Sequence, residues 1–428
     1  MTINIPPPFG RMRDELKTAV QRGLFHISGS MAASRIFRFF SAFIVVRVLS
    51  KALFGQFSYA QNILQFFLIF NGFGVSTAIV QFCSEKKTIE EKIPYLRYGI
   101  KIGLIFNFFL VLSILFYTSF FELPVNGSSE ILLYMCLMPL LILMSEIIGS
   151  YLLSVFRNRQ YSYLNILSTV LYFAGTIAGG LFFLVKGIIA GRYLAFMILL
   201  AAELYVVRKE LRLIWSARSP LKQDRKEFLK FSFVVTLTNS ISQFLYLIDI
   251  FFIGLIIKDE SVVAAYKTAT MIPFALAFLP QSIMLFLYPY FARNIKNKQK
   301  NKKLFYKVQG YMIIFNLGIS LILIVFAPLI IKIIFGPQYS DSVLPFRILS
   351  FGFFVSACFR IIPGNVLASL RKVKINLYTG IITGTLNIIL DIILIQKMGS
   401  VGAAIATTSM FILDALITNI YLYYFFKK

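Results

Sequence analysis

Apolar runs of about the length that crosses a lipid bilayer recur along the whole chain, and they constrain its fold more than any other feature. The run ILLYMCLMPLLILM, residues 131–144, is typical of them. A helix needs about 20 apolar residues to cross a hydrocarbon core about 30 Å thick. The runs lack the alternation of apolar and polar residues that a membrane-spanning barrel requires. The pattern therefore predicts an all-α polytopic membrane protein.

Polar and turn-forming clusters divide the apolar runs into about twelve predicted transmembrane spans. Only 14% of the residues are charged, whereas soluble domains carry about 25%. The predicted spans cover residues 24–49, 58–82, 95–117, 131–155, 162–185, 187–207, 230–256, 263–290, 308–334, 344–368, 376–396 and 400–425.

Lysine and arginine alternate from one connecting segment to the next. The basic segments are residues 11–22, 86–92, 157–159, 208–230, 293–307, 371–374 and 427–428, and the others hold little beyond Lys51, Lys186, Lys258 and Lys397. Because cytoplasmic loops collect Lys and Arg, we expect both termini in the cytoplasm and an even number of spans. The net charge of +25 is then a topology signal that also attracts anionic membrane lipids, and no nucleic acid is expected as a partner.

Two stretches half a chain apart resemble each other and lie at the same place in the predicted topology. IIGSYLLSVFRNRQY, residues 147–161, and IIPGNVLASLRKVKI, residues 361–375, share four identities without a gap. A repeat of six spans keeps its orientation, which predicts two six-helix bundles related by a pseudo-two-fold axis along the membrane normal. The predicted domains are an N-terminal bundle (1–207), a cytoplasmic or interfacial linker (208–229) and a C-terminal bundle (230–428).

Four longer segments carry a resemblance to a known family. They are RVLSKALFGQFSYAQNILQFFLIFNGFGVSTAIVQF (47–82), IDIFFIGLIIKDESVVAAYKTATMIPFALAFLPQSIMLFLYPYFA (248–292), IFGPQYSDSVLPFRILSFG (334–352) and MGSVGAAIATTSMF (398–411). Together they resemble the Wzx-type polysaccharide flippases, a branch of the MATE-like multidrug/oligosaccharidyl-lipid/polysaccharide (MOP) exporter superfamily. None of the segments is a catalytic motif, so the resemblance implies a transporter and not an enzyme.

The resemblance implies a flippase in O-antigen or capsule biosynthesis in the bacterial inner membrane. Its substrate would be an undecaprenyl-diphosphate-linked oligosaccharide, and its protein partners an O-antigen polymerase and a chain-length regulator. No cofactor is expected apart from a coupling proton or sodium ion. Two alternatives stay open: a MATE-type drug exporter, whose cavity would favour acidic groups, and a membrane enzyme of polysaccharide assembly, which would need a larger polar domain.

Two arginines stand within the first predicted span, in the stretch SRIFRFFS, residues 34–41. On a helix, Arg35 and Arg38 share one side with Ser34 and Ser41, and phenylalanines occupy the other. An arginine at the centre of a bilayer costs about 2.5–3.5 kcal/mol on insertion scales, so a polar partner is expected. Because guanidinium binds phosphate through paired hydrogen bonds, we predict that both bind the substrate diphosphate. Arg47, at the outer end, is expected to anchor the helix at the interface.

Other charged residues within the predicted spans are expected to contribute to the site. Arg360, in the tenth span, is predicted to join the diphosphate site. Four carboxylates are predicted either to carry a coupling ion or to form ion pairs: Asp249, Glu146, Asp391 and Asp414. An ion pair between one of them and the arginines of the first span is the structural alternative to diphosphate binding.

Amide side chains and prolines within the spans complete the prediction. Hydrogen bonds to sugar hydroxyls are expected from Gln61, Gln65, Asn239 and Gln243, although hydrogen bonds between helices are their more ordinary use. Pro273 and Pro280 are predicted to bend the eighth span, because proline removes a backbone donor. The three cysteines lack metal-like spacing, so no metal site is expected.

Overall fold

The computed structural model describes residues 24–216, 220–295 and 297–427, without the side chains of residues 24–28, 32, 215–216, 238–239, 241–242 and 245. Within these ranges the chain is helical and contains no strand. The α-helices, in chain order, are α1 (Leu24–Val48), α2 (Lys51–Leu68), α3 (Val75–Glu85), α4 (Ile89–Phe120), α5 (Ser128–Tyr134), α6 (Met138–Ser154), α7 (Asn158–Val206), α8 (Arg208–Ser216), α9 (Lys222–Ile257), α10 (Glu260–Leu276), α11 (Phe278–Arg293), α12 (Lys298–Val325), α13 (Ala327–Ile330), α14 (Val343–Val355), α15 (Ile362–Ser369), α16 (Val373–Met398) and α17 (Ser400–Lys427).

Short segments of other helical types connect some of these elements. The turns Asn71–Gly74 and Pro337–Ser342 are 3₁₀-helical, and Ile331–Phe335 and Ser356–Ile361 are π-helical. Such departures from α-helical geometry are frequent at functional or strained positions. The last of them contains Arg360.

Among the described residues, eight helices are long and apolar enough to cross a membrane, and the bent pair of α5 and α6 would make nine. The prediction of an all-α polytopic membrane fold is therefore confirmed. The count of twelve spans and the two-fold relation between bundles stay predictions.

Helix α7 turns back on itself between the fifth and sixth predicted spans. Its backbone leaves helical geometry at Phe183 and Leu184, and Gly179 then faces the backbone of Gly187. Glycines at such positions let two backbones approach closely. The division between residues 185 and 187, predicted from the sequence, thus lies within three residues of the observed turn.

The second predicted span is interrupted, which the sequence analysis did not anticipate. Between α2 and α3, Gly72, Phe73 and Gly74 adopt φ angles of 57°, 49° and 73°, in the left-handed region that glycine tolerates and phenylalanine rarely adopts. In the eighth predicted span, α10 ends at Leu276 and α11 begins at Phe278, and the predicted bend stays a prediction. Pro273 and Pro280 lie on either side of that break.

The described chain divides into two compact units that are not contiguous in sequence. Unit 1 contains α1 and residues 64–122 and 129–241, and unit 2 contains residues 49–63, 123–128 and 242–427. The division differs from the predicted domain limits at residues 207 and 230, because the first half of α2 is grouped with the second unit. The predicted domains themselves stay a prediction.

Each unit has its own apolar core. In unit 1, buried side chains of α3, α4, α6 and α9 pack together, among them Ile79, Tyr151 and Phe228. In unit 2, Phe305, Leu367 and Leu422 belong to a second buried cluster.

The two repeated stretches end their helices in the same way. Helix α6 closes with Phe156 at φ 57° and a bond from the Arg157 N–H to the Leu152 carbonyl of 2.9 Å. Helix α15 closes with Arg371 at φ 60° and a bond from the Lys372 N–H to the Leu367 carbonyl of 2.8 Å. Both are helix terminations with a left-handed residue. When the two stretches are aligned without a gap, Phe156 pairs with Leu370, so the two left-handed residues are offset by one position.

Candidate functional site

Arg35 and Arg38 of α1 are accessible and have no partner among the described residues. Ser34 and Ser41 are buried, and the Ser34 hydroxyl lies 2.6 Å from the Thr169 hydroxyl of α7. Arg35 and Arg38 are exposed, and no hydrogen bond or ion pair joins either to another described residue. The predicted polar side of α1 is therefore divided into a serine stripe that packs on α7 and two guanidinium groups that remain available.

Unit 2 contains a buried carboxyl group bound by three side chains. Asp249 of α9 is 5% exposed. The hydroxyl of Thr407, from α17, donates to its Oδ2 atom at 2.5 Å, and the hydroxyl of Tyr266, from α10, donates to the same oxygen. The Asn387 amide, from α16, donates to Oδ1 at 3.1 Å. All three partners of Asp249 belong to unit 2, and none of them is an arginine.

A second buried carboxyl group, Asp391, adjoins the first. The Asn387 amide nitrogen that contacts Asp249 also lies 2.9 Å from Asp391 Oδ2. Asp391 is fully buried, and its Oδ1 atom has no partner among the described residues. No described cation lies within ion-pair distance of either carboxyl group. Buried carboxylates without a counter-charge are costly, so this pair requires a proton or a cation.

The donor set suits a small cation that prefers oxygen ligands. Asp249 and Asp391 provide carboxylate oxygens, and Thr407 provides a hydroxyl oxygen beside them. Among the described residues there is no group of three or more histidine, cysteine, aspartate or glutamate side chains that would form a transition-metal site. The arrangement can hold a proton, or a monovalent ion with few formal charges around it.

Arg360 differs from Arg35 and Arg38 because it has a counter-ion among the described residues. Its Nε atom donates to Asp414 Oδ2 at 2.8 Å, and its guanidinium lies over the Phe411 ring, 5.0 Å from the centroid. The pair lies inside unit 2, between the π-helical segment and α17. For Asp414, the geometry favours an ion pair over ion coupling. The predicted contact of Arg360 with the diphosphate stays a prediction.

Lys267 is an intramembrane cation that the sequence analysis missed. It lies in α10, directly after Tyr266, and is partly buried. Its ammonium group has no hydrogen-bond or ion-pair partner among the described residues. A charged side chain in such a position is a functional candidate by default. The sequence signal was available, because Lys267 lies within the predicted eighth span, close to its first residue, Val263.

The remaining predicted residues fall into two groups. Glu146 is bound within unit 1 by Asn71 at 3.1 Å and by Ser76 at 3.5 Å. Three of the predicted sugar contacts make no side-chain hydrogen bond to a described residue: Gln61, Gln65 and Gln243. The side chain of the fourth, Asn239, lies outside the described residues.

Unpaired cations, a buried pair of carboxyl groups and an all-helical fold of apolar spans together define a multi-pass membrane transporter. The protein belongs to the polysaccharide biosynthesis protein family, which matches residues 20–295, more than half of the chain.

Curated relatives of the chain include transporters and flippases. A Shigella flexneri protein named for O-antigen transport is 27% identical over 230 residues, 54% of this chain and 54% of that protein. A Haloferax volcanii protein named as a low-salt glycan biosynthesis flippase, Agl15, is 25% identical over 88% of this chain and 78% of its own length. The match to the Shigella relative thus spans about half of that protein.

Solved structures confirm the predicted MATE-like fold. The lipid II flippase MurJ, in an inward closed conformation, superposes with a TM-score of 0.76 over 93% of this chain and 87% of its own, at 18% identity. An inward-facing MATE multidrug transporter of the MOP superfamily gives a TM-score of 0.73 over 92% of this chain and 94% of its own, at 14% identity. The relatives confirm the prediction of a transporter rather than an enzyme.

Proposed function

We propose that the protein flips undecaprenyl-diphosphate-linked oligosaccharides, the repeat units of O-antigen or capsule, by alternating access. The direction would be from the inner to the outer leaflet of the bacterial inner membrane, with both termini in the cytoplasm. The observation that carries the proposal is the exposed and unpaired state of Arg35 and Arg38 in the helix that forms the first predicted span. The family and the names of its relatives support a polysaccharide or glycan precursor as the substrate.

The two arginines would neutralise the diphosphate while it is inside the membrane. A diphosphate carries several negative charges, and its transfer from water to hydrocarbon without counter-charges would be prohibitive. Two guanidinium groups three residues apart lie on neighbouring positions of one helix face, so that both can contact one ligand. The same charges disfavour organic cations, the substrates for which the drug-exporter alternative would require an acidic cavity.

Within unit 2, Lys267 is a separate candidate for contact with a phosphate oxygen. Its ammonium is a compact point charge that can contact a phosphate oxygen without the paired geometry of arginine. Its unpaired state supports this role. The ion pair of Arg360 with Asp414 makes Lys267 the better candidate for a basic contact from this unit.

The buried pair of Asp249 and Asp391 would couple transport to a cation gradient. When the buried carboxyl groups bind a proton or a cation, the net charge of the site changes, and it changes back when the ion is released. The unpartnered Asp391 Oδ1 atom supports this role. The Thr407 hydroxyl would add an oxygen ligand when the ion is sodium, and the carboxyl groups alone would suffice for a proton.

The test is transport in a strain that lacks its own flippase. Wild type should restore lipid-linked repeat units on the outer face of the inner membrane. The variant Arg35→Gln/Arg38→Gln should lower this amount at least tenfold at equal protein level, because each lost guanidinium contact with a phosphate removes about 1.5–3 kcal/mol. Arg47→Gln, the same change at the outer end of the same helix, should retain transport.

Two outcomes would contradict the proposal in different ways. If the double variant transported as well as wild type, the arginines would not bind the diphosphate. If well-folded wild type flipped no lipid-linked oligosaccharide and exported organic cations instead, the protein would be a drug exporter.

A further inference from the structure

We infer that Glu146, together with Asn71 and Ser76, forms a subsite in unit 1 that accepts hydrogen bonds from the hydroxyl or amide N–H groups of the sugar. This inference rests on the proposed function, because the sugar is part of the proposed substrate. It assigns to Glu146 a role different from ion coupling or ion pairing.

A rigid scaffold holds the carboxylate in place. The Gly72 N–H donates to Asn107 Oδ1 at 2.7 Å, and the Asn107 amide donates at 2.8 Å both to Asn71 Oδ1 and to the Pro139 carbonyl. Asn107 is fully buried. These bonds tie the break between α2 and α3 to α4 and to the start of α6, the helix that carries Glu146.

The backbone conformation at the break between α2 and α3 is energetically unfavourable. Phe73 holds a left-handed backbone conformation, which costs about 1–3 kcal/mol for a residue with a side chain. Its ring stacks on Phe106 of α4 with centroids 4.4 Å apart. Strain of this kind persists where the surrounding structure overdetermines it, and it is concentrated at ligand-binding positions. The break brings both Asn71 and Ser76, the second residue of α3, to the Glu146 carboxylate.

The carboxylate keeps one oxygen available. The Asn71 amide and the Ser76 hydroxyl both donate to Oε2, at 3.1 Å and 3.5 Å, and Oε1 has no partner among the described residues. Glu146 is also exposed. A carboxylate in a membrane-spanning segment is expensive against lipid, so it should face water or a ligand.

The hydrogen-bonding groups of the subsite that have no partner determine which ligand it accepts. The Asn71 carbonyl oxygen is occupied by Asn107, and the Asn71 amide is directed at Glu146. What remains is a negatively charged acceptor, which repels a diphosphate and attracts hydrogen-bond donors. In a diphosphate-linked oligosaccharide the donors are the hydroxyl and amide groups of the sugars.

The depth of the carboxylate agrees with this assignment. At a rise of about 1.5 Å per residue, Glu146 lies about 12 Å along α6 from its predicted inner end at Ser154. Arg35 lies about 17 Å along α1 from its predicted inner end at Leu24, by the same rise. A diphosphate at the arginines and a sugar at Glu146 would thus lie at similar depths in the membrane.

The experiment compares two ligands on the purified full-length protein by native mass spectrometry. One probe is undecaprenyl diphosphate carrying the complete repeat unit of the native strain, and the other is sugar-free undecaprenyl diphosphate. Glu146→Gln should weaken binding of the first probe about tenfold, which corresponds to about 1.4 kcal/mol, and leave binding of the second unchanged. Glu146→Asp, which keeps the charge but shortens the side chain, should give a smaller loss with the same selectivity.

Glu203→Gln is the matched control. Glu203 is buried in the same unit, and its Oε2 atom accepts from the Ser145 hydroxyl at 2.9 Å. This variant should leave the ratio of the two affinities as in wild type. Binding of the sugar-free probe also reports whether each variant is folded.

Each remaining outcome is decisive. If Glu146→Gln weakened both probes equally, Glu146 would act through the fold or through coupling, and the subsite would be refuted. If wild type bound both probes equally well, the sugar would not be recognised, and the subsite would be refuted while the proposed function survived. If wild type bound neither probe, the proposed function would fail, and the inference would fail with it.

Discussion

Replacing Asp391 with asparagine should stabilise the protein when no coupling cation is present. The Asn387 amide nitrogen lies 3.1 Å from Asp249 Oδ1 and 2.9 Å from Asp391 Oδ2. These two oxygens are therefore within about 6 Å of each other, where two unit charges repel by about 2.8 kcal/mol at an effective dielectric constant of about 20. Asparagine removes this repulsion and can still accept from Asn387.

The assay is thermal unfolding of the full chain in nanodiscs, with and without sodium and at two values of pH. At about 2 cal/mol/K of unfolding entropy per residue, a gain of 2.8 kcal/mol would raise the Tm by about 3 °C. We expect this gain for Asp391→Asn at alkaline pH without sodium. Wild type should recover the difference when sodium is added or the pH is lowered, and the variant should respond less, because it keeps only one of the two carboxyl groups.

Asp414→Asn provides the control, because the Asp414 carboxylate already has a counter-ion in Arg360. That change should lower the Tm under every condition, since it leaves a partly buried guanidinium unpaired. If Asp391→Asn also lowered the Tm in the absence of sodium at alkaline pH, the two carboxyl groups would not share an uncompensated charge. The cation-site interpretation would then be refuted.

Three further variants test other parts of the structure. Lys267→Gln should lower flipping at least tenfold at equal protein level in the flippase-deficient strain, and Lys267→Arg should retain most of it, because the substrate requires a cation there. Gly191→Leu should lower the Tm by several degrees and reduce the folded yield, because a side chain at Gly191 would overlap the backbone of Gly175; an unchanged melting curve would contradict the close hairpin. Lys51→Ala should change the unfolding free energy by less than about 1 kcal/mol, because its partner Asp341 is half exposed; a larger loss in a denaturant titration would show that the pair is coupled to further interactions.

Local patterns along the chain predicted much of the fold. The length of the apolar runs predicted the membrane class, and the division between residues 185 and 187 lies close to the observed turn at Phe183 and Leu184. The two prolines of the eighth span predicted a bend there, and α10 ends between them. These features depend on residues near each other in sequence, where propensity and steric rules act directly.

The interrupted second span shows where such rules need tertiary context. The letters NGFG at residues 71–74 are a turn signal, but the apolar run around them outweighed it. What stabilises the break is a set of contacts to α4 and α6, above all the bond from the Gly72 N–H to Asn107. No pattern within residues 58–82 reveals that partner.

The hydrogen-bond partners of Asp249 likewise could not be predicted from the sequence. Asn387 and Thr407 lie 138 and 158 residues away along the chain. Asparagine and threonine within apolar helices are common, and nothing local distinguishes these two from the others. The only visible hint was the spacing of Asn387 and Asp391, one helical turn apart.

Helix α10 offers a physical route between the cation and the substrate in the proposed cycle. Tyr266 donates a hydrogen bond to Asp249, and Lys267 is the next residue on the same helix, so the two side chains project about 100° apart. A change of charge at Asp249 would alter the strongest polar contact of Tyr266, and any rotation of α10 in response would move Lys267 with it. The break at Ala277 would confine that rotation to the segment before α11. In this cycle the cation binds at the carboxyl groups and the diphosphate at Lys267, so the two ligands need not compete for one group. Coupling would occur through a movement of helix α10.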